Sequence, residues 1–407
     1  MARDFTKVFI TPKGERHLKT GHPWVFGDEV TAVNGTYENG DVVDVYSQKE
    51  RYLGSGYIND NSKIRVRVIS RNANDKFDEA FYERRLRYAT EYRRTVMGDT
   101  DYKCCRLIFG EADCFPGFTV DRFDNILVVQ VLSLGIERIK TFLINKLVEI
   151  LREQGETIDA VYERNDVAIR EREGMEQYKG FFKADGLRTD LNGITQITEN
   201  GIKYTVDYIN GQKTGFFLDQ KYNRMAIRKI AKGKKVLDCF THTGAFALNA
   251  AAAGAKLVTA VDVSEDALKS AKRNAELNGF ENMEFKCADV FELLTEMKET
   301  KSCDFDVIIL DPPAFTKSSS TVKSAYRGYK EINLKAMKLL PRGGYLATCS
   351  CSHFMSEELF REMLNDASKD AGVSLRQIEF RQQSADHPIL MNVPETNYLK
   401  FYIFQVV

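Results

Sequence analysis

The stretch KKVLDCFTHTGAFALNAAAAGAKLVTAVDVSEDALKSAKRNAELN, from Lys234 to Asn278, decides the fold of this chain. Short apolar strands are predicted from Val236 and from Leu257, with an alanine-rich helix between them. The two strands end in acids, Asp238 and Asp262. A doubly wound α/β sheet places an acid about twenty residues past its first turn, where the carboxylate meets ribose hydroxyls. Asp262 has this position, so the stretch predicts a sheet that binds a nucleoside.

The turn between the first strand and the helix narrows the class of ligand. It contains one glycine, Gly244, and lacks the G-x-G-x-x-G fingerprint that lets a backbone approach a pyrophosphate. A nucleoside without phosphates therefore fits this turn better than NAD does, and an NAD-dependent oxidoreductase is disfavoured.

The run DCFTHTGAF, Asp238 to Phe246, resembles the S-adenosylmethionine loop of class I methyltransferases. It resembles in particular the subgroup whose loop reads D-x-F-x-x-T-G-x-F and whose members modify RNA bases. The resemblance covers nearly the whole chain and is to the bacterial 23S ribosomal RNA cytosine-5 methyltransferase family. That family has an N-terminal PUA domain, a middle domain and a C-terminal catalytic domain. The resemblance implies S-adenosyl-L-methionine as cofactor and RNA as partner, either 23S rRNA or a ribosomal assembly intermediate.

Composition predicts a multidomain globular protein. The 407 residues are 43% hydrophobic and 29% charged, which suggests two or three domains with ample material for a core. No run of about eighteen apolar residues occurs, and the first residues, Met1 to Phe5, lack the apolar segment of a signal peptide. We therefore expect a cytoplasmic protein without a membrane partner.

Charge and cysteine content limit the kind of binding. Lys plus Arg and Asp plus Glu each number 58, so the net charge of zero gives no bulk attraction to nucleic acid and any RNA binding must be local. The eight cysteines lack paired metal-ligand spacing, which predicts free thiols and no metal site. The sequence leaves the oligomeric state open, with a homodimer as one alternative.

Residues 1–72 are predicted to form a small β-barrel, because short β-branched and aromatic runs alternate with turn signals. His22 to Phe26 and Asn39 to Val43 resemble segments of a PUA domain, an RNA-binding barrel; the alternative is an SH3-like barrel without a ligand. Trp24 is expected to fill the barrel core rather than to stack on a base. The predicted strands are Val8 to Ile10, Val42 to Val45, Tyr52 to Ile58 and Ile64 to Ser70.

Residues 73–192 are predicted to form a small α+β domain. A helix over residues 75–95 carries an arginine-rich face, which we expect to be solvated and paired with glutamates. Strands on either side of Pro116-Gly117, a helix from Ile136 to Gln154 and a strand from Ala160 to Glu163 follow. The family signature G-E-A-D-x-x-P-G appears at Gly110 to Gly117, and its acidic turn is expected only to orient the domains.

Residues 193–407 are predicted to form a Rossmann-like, seven-stranded class I methyltransferase domain. The buried strand Phe305 to Leu310 leads into Asp311-Pro312-Pro313-Ala314-Phe315, and the prolines fix the acid at the carboxyl edge of the sheet. A D/N-P-P-aromatic motif occurs there in enzymes that methylate amines. RNA cytosine-5 enzymes carry D-x-P-C at this point, with the aspartate on the pyrimidine edge, and Ala314 replaces their cysteine. Both chemistries stay open at this motif.

The next strand, Gly344 to Ser352, favours cytosine-5 chemistry. Carbon 5 of cytosine is too weak a nucleophile, so a thiolate must first add to carbon 6. By resemblance, Cys351 has the place of the family's T-C-S nucleophile, and Asp311 would contact the nitrogen 3 edge. Cys349 shares the face of Cys351 and lies deeper. Cys349, His353 or a water molecule are the alternatives for removing the carbon-5 proton.

The resemblance also supplies the remaining cofactor contacts. The segment at Lys213 to Gln220 lies over the cofactor in similar methyltransferases. Asp289 has the place of the acid that accepts from the adenine amine, although it could equally cap a helix. The predicted catalytic residues are Cys351, Asp311 and Cys349; the predicted cofactor contacts are Lys213, Thr214, Phe216, Gln220, Asp238, Phe240, Thr243, Gly244, Phe246, Asp262, Val263, Asp289, Val290, Asp311 and Pro312.

Two further segments are candidates for substrate contact. Thr316 to Arg327 is polar, basic and without regular periodicity, which predicts either a mobile lid reaching phosphates through Lys317, Lys323 and Arg327 or an uninvolved loop. His387 is expected in a loop that faces the substrate. Besides the amine methyltransferase, an RNA-binding protein with a vestigial catalytic domain remains an alternative function.

Overall fold

The computed structural model describes residues 4–407, so part of the N-terminal segment used for the export prediction lies outside the described residues. The chain divides into two compact units. Unit 1 contains the described residues up to Ile197, together with Val206–Leu218 and Ala385–Thr396. Unit 2 contains Thr198–Thr205, Asp219–Ser384 and Asn397–Val407. The three domain boundaries stay a prediction.

Unit 1 begins with a six-stranded sheet of order β2-β6-β5-β4-β1-β3. The four predicted strands are present, whereas β2, β3 and the helix α1 were missed. Helix α1 has Thr11 as N-cap and Pro12 at its first position, a start signal that could have been recognised. The elements are β1 (Lys7–Ile10), α1 (Pro12–Lys19), β2 (Trp24–Phe26), β3 (Val30–Asn34), β4 (Val42–Ser47), β5 (Tyr52–Ile58) and β6 (Ile64–Ser70).

The core of this sheet contains Val25 but not Trp24, so the prediction for the tryptophan was wrong. Successive residues of a strand point to opposite faces, and the inward position in β2 belongs to Val25. Trp24 is half-buried on the other face, where its Nε1 donates to Oε1 of Glu111 at 3.0 Å. A tryptophan packs best where its N–H also finds an acceptor, and Glu111 supplies one on this face.

The rest of unit 1 is built on a five-stranded sheet of order β11-β10-β9-β8-β7. Two long helices, α2 and α3, accompany it, which confirms the α+β prediction for this part of the fold. The elements are α2 (Glu79–Tyr102), β7 (Cys104–Phe109), β8 (Phe118–Phe123), β9 (Ile126–Val131), α3 (Leu134–Glu153), β10 (Ala160–Asn165), α4 (Ile169–Arg172) and β11 (Tyr178–Phe181).

The arginine-rich face of α2 is not uniformly solvated, contrary to expectation. Arg93 is fully buried, and its guanidinium forms two hydrogen bonds with the Asp113 carboxylate at 2.5 and 2.7 Å. Asp113 belongs to the acidic turn at Gly110–Asp113, whose Glu111 also accepts from Trp24. The turn therefore connects β2 with α2 inside unit 1. A charged side chain is stable in such a place only when its partner is built in with it.

Unit 2 contains a seven-stranded sheet of order β16-β15-β14-β17-β18-β20-β19, as predicted. Its first five strands are parallel, and β20 is antiparallel to both neighbours. The division between the units falls within the hairpin β12–β13. The elements are β12 (Ile194–Glu199), β13 (Ile202–Asp207), α5 (Lys221–Ala226), α6 (Arg228–Ala231), β14 (Lys235–Cys239), α7 (Ala245–Ala252), β15 (Leu257–Asp262), α8 (Glu265–Leu277), β16 (Met283–Cys287), α9 (Val290–Thr300), β17 (Val307–Leu310), α10 (Val322–Leu339), β18 (Tyr345–Ser350), α11 (Glu357–Ala371), β19 (Leu375–Arg381) and β20 (Lys400–Val406).

The strand order reverses at β14, so the crevice of this sheet lies at the carboxyl ends of β14 and its neighbour β17. Apolar clusters cover the sheet on both faces, one under α9, α10 and α11 and one under α7. Residues of β17 are buried throughout, as their continuous apolar run predicted. The core thus holds the loops at the carboxyl edge in fixed positions.

The predicted irregular loop from Thr316 to Arg327 is wrong from Val322 onward, because α10 begins there. Ala325 and Tyr329 are buried four residues apart, so a helical apolar stripe starts inside the polar segment. Lys323 and Arg327 are therefore helical residues rather than parts of a loop.

His387 does not face a substrate site as expected: its side chain is 2% exposed, its Nδ1 lies 3.0 Å from Oδ1 of Asp386, and its ring packs against Phe109. Hydrogen bonding and ring packing together hold the imidazole inside unit 1. Over the described residues, no helix is both long and apolar enough to cross a membrane.

Candidate active site

Four polar side chains of unit 2 lie where parallel strands of the seven-stranded sheet end. Asp238 is the penultimate residue of β14, Asp262 is the last residue of β15, Asp311 follows β17 and Cys351 follows β18. Because the carboxyl ends of parallel strands meet at one edge, the topology brings together the residues that the sequence singled out.

A tight loop joins β14 to α7. Phe240, His242 and Gly244 have left-handed φ angles of 64°, 50° and 81°. A Cβ on Gly244 would lie 2.9 Å from the Cβ of Ala271, so both the φ angle and the packing require glycine. The Gly244 N–H donates to the Thr241 carbonyl at 2.8 Å. The loop therefore turns back on itself directly after β14.

Asp238 has a buried carboxylate oxygen without a partner. The residue is 0% exposed. Its Oδ2 accepts from the Thr241 hydroxyl at 2.6 Å and from the Ala247 N–H at 3.0 Å, whereas its Oδ1 has no hydrogen-bond partner among residues 4–407. Burial, together with the nearby Asp311 carboxylate, raises the pKa of Asp238 to about 7. A buried acceptor left unpaired is costly, so Oδ1 suits a cationic donor supplied by a ligand.

Asp262 is held in place by the backbone. Its Oδ2 accepts from the His242 N–H and its Oδ1 from the Ser264 N–H, both at 2.9 Å. Each carboxylate oxygen can accept more than one hydrogen bond, so hydroxyl groups can still bind here. Val263 follows and is largely exposed.

Asp289 is the N-cap of α9: its Oδ1 accepts from the Glu292 N–H at 3.1 Å. The helix-capping alternative is thus observed, and a contact of Asp289 with adenine stays a prediction, as does that of Val290. The Val290 side chain is buried in the core under α9.

Asp311 is half-buried and lies beside the buried Cys349. Gln220 Nε2 donates to Asp311 Oδ1 at 3.1 Å, and the Cys349 thiol interacts with both residues. Burial raises the pKa of Asp311 to about 6, with Arg224 opposing the shift. Burial first, and then the Asp311 charge, raises the pKa of the Cys349 thiol well above its usual range. Cys349 is therefore a protonated thiol at neutral pH, and it is 0% exposed.

Cys351 lies one residue past β18 and is half-buried. The following residue, Ser352, fixes the turn: its hydroxyl donates to the Thr316 carbonyl at 2.8 Å, and its own carbonyl accepts from Lys400 Nζ at 2.6 Å. The sequence analysis missed Lys400. A single lysine at the start of the apolar strand KFYIFQV is the signal that could have revealed it.

Three predicted cofactor contacts belong to unit 1. The Thr214 hydroxyl is buried and donates to Asp121 Oδ2 at 2.6 Å. Phe216 is buried, and the Lys213 ammonium lies 4.7 Å from the centre of the Phe217 ring. Their contact with a cofactor stays a prediction.

The other predicted contacts lie in unit 2. Phe246 stacks on Phe401 with ring centres 5.9 Å apart, so its side chain serves the core under α7. Phe240 packs against the opposite core, the Thr243 carbonyl accepts from Asn274 at 3.2 Å, and Pro312 is buried beside Asp311.

Comparison with known proteins gives the family. Residues 8–71 match the PUA-like domain, and residues 106–404 match the S-adenosylmethionine-dependent methyltransferase family. The ribosomal RNA large subunit methyltransferase I of Pseudoalteromonas translucida is 40% identical over 401 residues, which cover 98% of this chain and 99% of the relative. The protein of the same name from Klebsiella pneumoniae (strain 342) is 38% identical over 405 residues, 99% of each chain.

A solved structure from Streptococcus mutans, assigned to the SAM-dependent methyltransferases, shares the fold. It has a TM-score of 0.80 and 21% identity, and covers 98% of this chain and 100% of its own. A further methyltransferase-type structure, complexed with SAH, has a TM-score of 0.82 at 21% identity, with the same coverage.

The site fits the cofactor that the family requires. S-adenosylmethionine carries an ammonium group and ribose hydroxyls, and the unpaired Asp238 Oδ1 and the preset Asp262 carboxylate are suited to these groups. S-adenosyl-L-methionine is the cofactor, as predicted. The chain belongs to the family of S-adenosylmethionine-dependent methyltransferases that includes the ribosomal RNA large subunit methyltransferases I and carries a PUA-like domain at its N-terminal end.

Proposed function

We propose that this protein methylates carbon 5 of a cytosine in 23S ribosomal RNA through a covalent adduct with Cys351. Relatives of 40% and 38% identity, aligned over nearly their whole length, are named as methyltransferases of large-subunit ribosomal RNA, and the PUA-like barrel is suited to RNA. The observation that carries the chemistry is the position of the half-buried Cys351 at the carboxyl edge of the sheet, beside the strand that leads to Asp311.

Cys351 supplies the nucleophile. Its thiolate adds to carbon 6 of cytosine, a sulfur–carbon bond forms, and the electron pair of the 5,6 double bond moves towards carbon 5 and the ring. Asp311, positioned by Gln220, faces the nitrogen 3 edge in this proposal. Because its pKa is raised to about 6, Asp311 can share a proton with nitrogen 3 as negative charge develops on the ring.

The chain's own residues orient the cofactor. When bound, S-adenosylmethionine supplies an electrophilic methyl group. Asp262 would hold the ribose, Asp238 the ammonium group and Asp289 the adenine amine. The other predicted contacts of unit 2 remain part of this proposal: Gln220, Phe240, Thr243, Gly244, Phe246, Val263, Val290, Asp311 and Pro312. The contacts of Lys213, Thr214 and Phe216 of unit 1 stay predictions from the family resemblance.

Product release requires a base that removes the carbon-5 proton, so that the sulfur–carbon bond breaks and the double bond is restored. The protonated, closed-off thiol of Cys349 makes a poor base at neutral pH. His353, two residues after Cys351, is exposed. His353 or a water molecule is therefore favoured over Cys349.

An amine methyltransferase reading of the D-P-P-A-F motif is disfavoured by its aromatic residue. In amine methylation this ring would stack on the target base. The Phe315 ring instead packs against Tyr329, with ring centres 4.5 Å apart, and against Phe291 at 6.0 Å. The ring thus contributes to the core under α10.

The decisive experiment is trapping with RNA that contains 5-fluorocytosine, whose fluorine cannot leave as a proton. The parent protein should form a stable RNA adduct, Cys351→Ala should form none, and Cys349→Ala should still form one. Nucleoside mass spectrometry of methylated RNA should show 5-methylcytosine. Methylation that persists in Cys351→Ala would overturn the adduct mechanism, and an N-methylated nucleoside would replace it with amine chemistry.

A further inference from the structure

Lys400 is a buried lysine beside the proposed nucleophile. It is 4% exposed and begins β20, where it lies opposite Ser350 of β18. Its Nζ donates to the carbonyl oxygens of Ser352 at 2.6 Å and Tyr398 at 2.9 Å. Lysines are almost never this buried unless they are paired with a carboxylate. No carboxylate forms an ion pair with Lys400 anywhere in residues 4–407.

The electrostatic surroundings of Lys400 point to Cys351. Burial lowers the pKa of Lys400 to about 8, and Cys351 is the group that opposes this shift. The charged form of a buried ammonium group that lacks a carboxylate partner is stabilised most by a neighbouring group that can itself become an anion. The thiol of Cys351 is such a group, because it can ionise to a thiolate.

Two further titratable groups interact with the Cys351 thiol. Cys349 of β18 and Tyr329 of α10 both interact with Cys351, and burial keeps both neutral by raising the pKa of Cys349 well above its usual range and that of Tyr329 to about 12. Asp311, beside Cys349, is an acid. His353 is exposed on the same turn.

We propose that Lys400 is a positioning residue for the nucleophile: its carbonyl hydrogen bonds hold the turn that carries Cys351, and its positive charge favours the thiolate. This inference rests on the proposed function, in which Cys351 is the nucleophile. The thiol proton leaves to solvent and the negative charge that remains on sulfur is balanced by the Lys400 ammonium. The sulfur then needs no neighbouring histidine as a base, unlike the nucleophiles of Cys–His enzymes.

Alkylation of Cys351 by iodoacetamide in the absence of RNA tests the inference directly. The rate is measured from pH 6 to 10 by mass spectrometry of the peptide that contains Cys351, in the parent, Lys400→Met and Lys400→Arg. Removing a nearby opposite charge moves an ionisation by about one pH unit or more, so Lys400→Met should react roughly tenfold more slowly at pH 7. Lys400→Arg keeps the charge and should stay within about threefold of the parent. The parent and Lys400→Met should converge above pH 9, where Lys400 itself is neutral, whereas the arginine of Lys400→Arg keeps its charge.

Controls separate this effect from misfolding. Lys369→Met makes the same chemical change on the exposed face of α11 and should leave the profile unchanged. Cys287 has an exposed thiol and serves as a reference within each protein. S-adenosylmethionine affinity, measured by calorimetry, should be the same in the parent and in Lys400→Met. An unaltered Cys351 profile in a folded Lys400→Met protein overturns the inference.

Further measurements test the inference without depending on the folding of a variant, and separate it from the proposed reaction. The parent protein alone should alkylate at Cys351 faster at pH 7 when folded than when unfolded in urea, although the thiol is half-buried; a slower reaction in the folded protein overturns the inference. If Cys351→Ala still methylates RNA while the alkylation results hold, the proposed function fails and the lysine–thiol coupling stands. In single-turnover methylation, Lys400→Met should lose rate at pH 7 and recover at pH 9 with unchanged RNA affinity; a loss of RNA affinity instead would make Lys400 an RNA contact and overturn the positioning role.

Discussion

Two places at the carboxyl edge of the seven-stranded sheet, the ends of β14 and β18, hold buried charged groups of opposite sign. At the end of β14, Asp238 is a buried acid whose Oδ1 has no partner in the described chain, and its pKa is raised to about 7. Beside the end of β18, Lys400 of β20 is a buried base that pairs with no carboxylate among the described residues, and its pKa is lowered to about 8. Asp238 lacks a cationic partner and Lys400 lacks a carboxylate partner among the described residues. The difference indicates that a cationic ligand binds at the end of β14 and that an anionic nucleophile is favoured at the end of β18.

Cys351→Ala should produce the largest effect and break one side of this comparison. Methylation should fall by about 10³-fold or more, because the proposed reaction begins with attack by the Cys351 thiolate. S-adenosylmethionine affinity should stay within about twofold, since the β14 site makes no use of the thiol. Single-turnover methylation and calorimetry on the same preparation check both parts. Equal losses of methylation rate and of cofactor affinity would show that the sites at β14 and β18 are not independent.

Asp238→Asn should weaken cofactor affinity by about 10- to 100-fold, since a hydrogen bond to a charged group contributes roughly 1.5–3 kcal/mol. The parent's affinity should rise with pH up to about 7, because the carboxylate must be ionised to pair with a cation. Asp238→Asn should flatten this dependence, because an amide does not titrate. Calorimetry from pH 6 to 8 checks the prediction, and a parent affinity that is independent of pH contradicts the assignment of Asp238.

Asp262→Ala should weaken cofactor binding by about tenfold. This loss of affinity is smaller than the one expected for Asp238→Asn, because ribose hydroxyls are neutral donors. Asp262→Asn is the matched control: it can still accept from one of the His242 and Ser264 N–H groups and should recover part of the affinity. Unchanged binding by the alanine variant removes Asp262 from the cofactor site, whereas equal losses in both variants would indicate collapse of the loop.

The smallest expected effect is on stability. The folded-state pKa of Asp238 lies above its unfolded value, so the unfolded chain binds fewer protons between about pH 4 and 7 and stability falls as the pH rises through that range. Asp238→Asn should therefore raise the free energy of unfolding of the cofactor-free protein by about 1 kcal/mol at pH 8 and by less at pH 5. Urea unfolding at both pH values checks this. A variant that is destabilised at pH 8 would mean that Oδ1 has a partner in solution.

The sequence predicted those features that depend on the pattern of residues within a single strand. Asp238, Asp262 and Asp311 could be placed because each ends an apolar run, and parallel strands bring such ends together. Trp24 could not be placed, because its position depends on a carboxylate 87 residues away. The start of α10 was hidden because its first turn is polar and only Ala325 marks the buried face. Lys400 escaped notice because its partners are carbonyl groups, which every residue carries.

The position of β20 has a consequence for biosynthesis. In the chain β19 precedes β20, yet in the sheet β20 lies between β18 and β19, and β19 pairs only with β20. A ribosome delivers residues in sequence order, so β19 leaves the exit tunnel with no strand to join, and β18 keeps an open edge until Lys400 and the residues after it emerge. Until then Cys351 is an ordinary thiol at an unfinished sheet, and its reactivity is acquired only when the final strand is inserted. A nascent chain stalled before β20 therefore carries every acid of the cofactor site but not the cation that would activate the nucleophile.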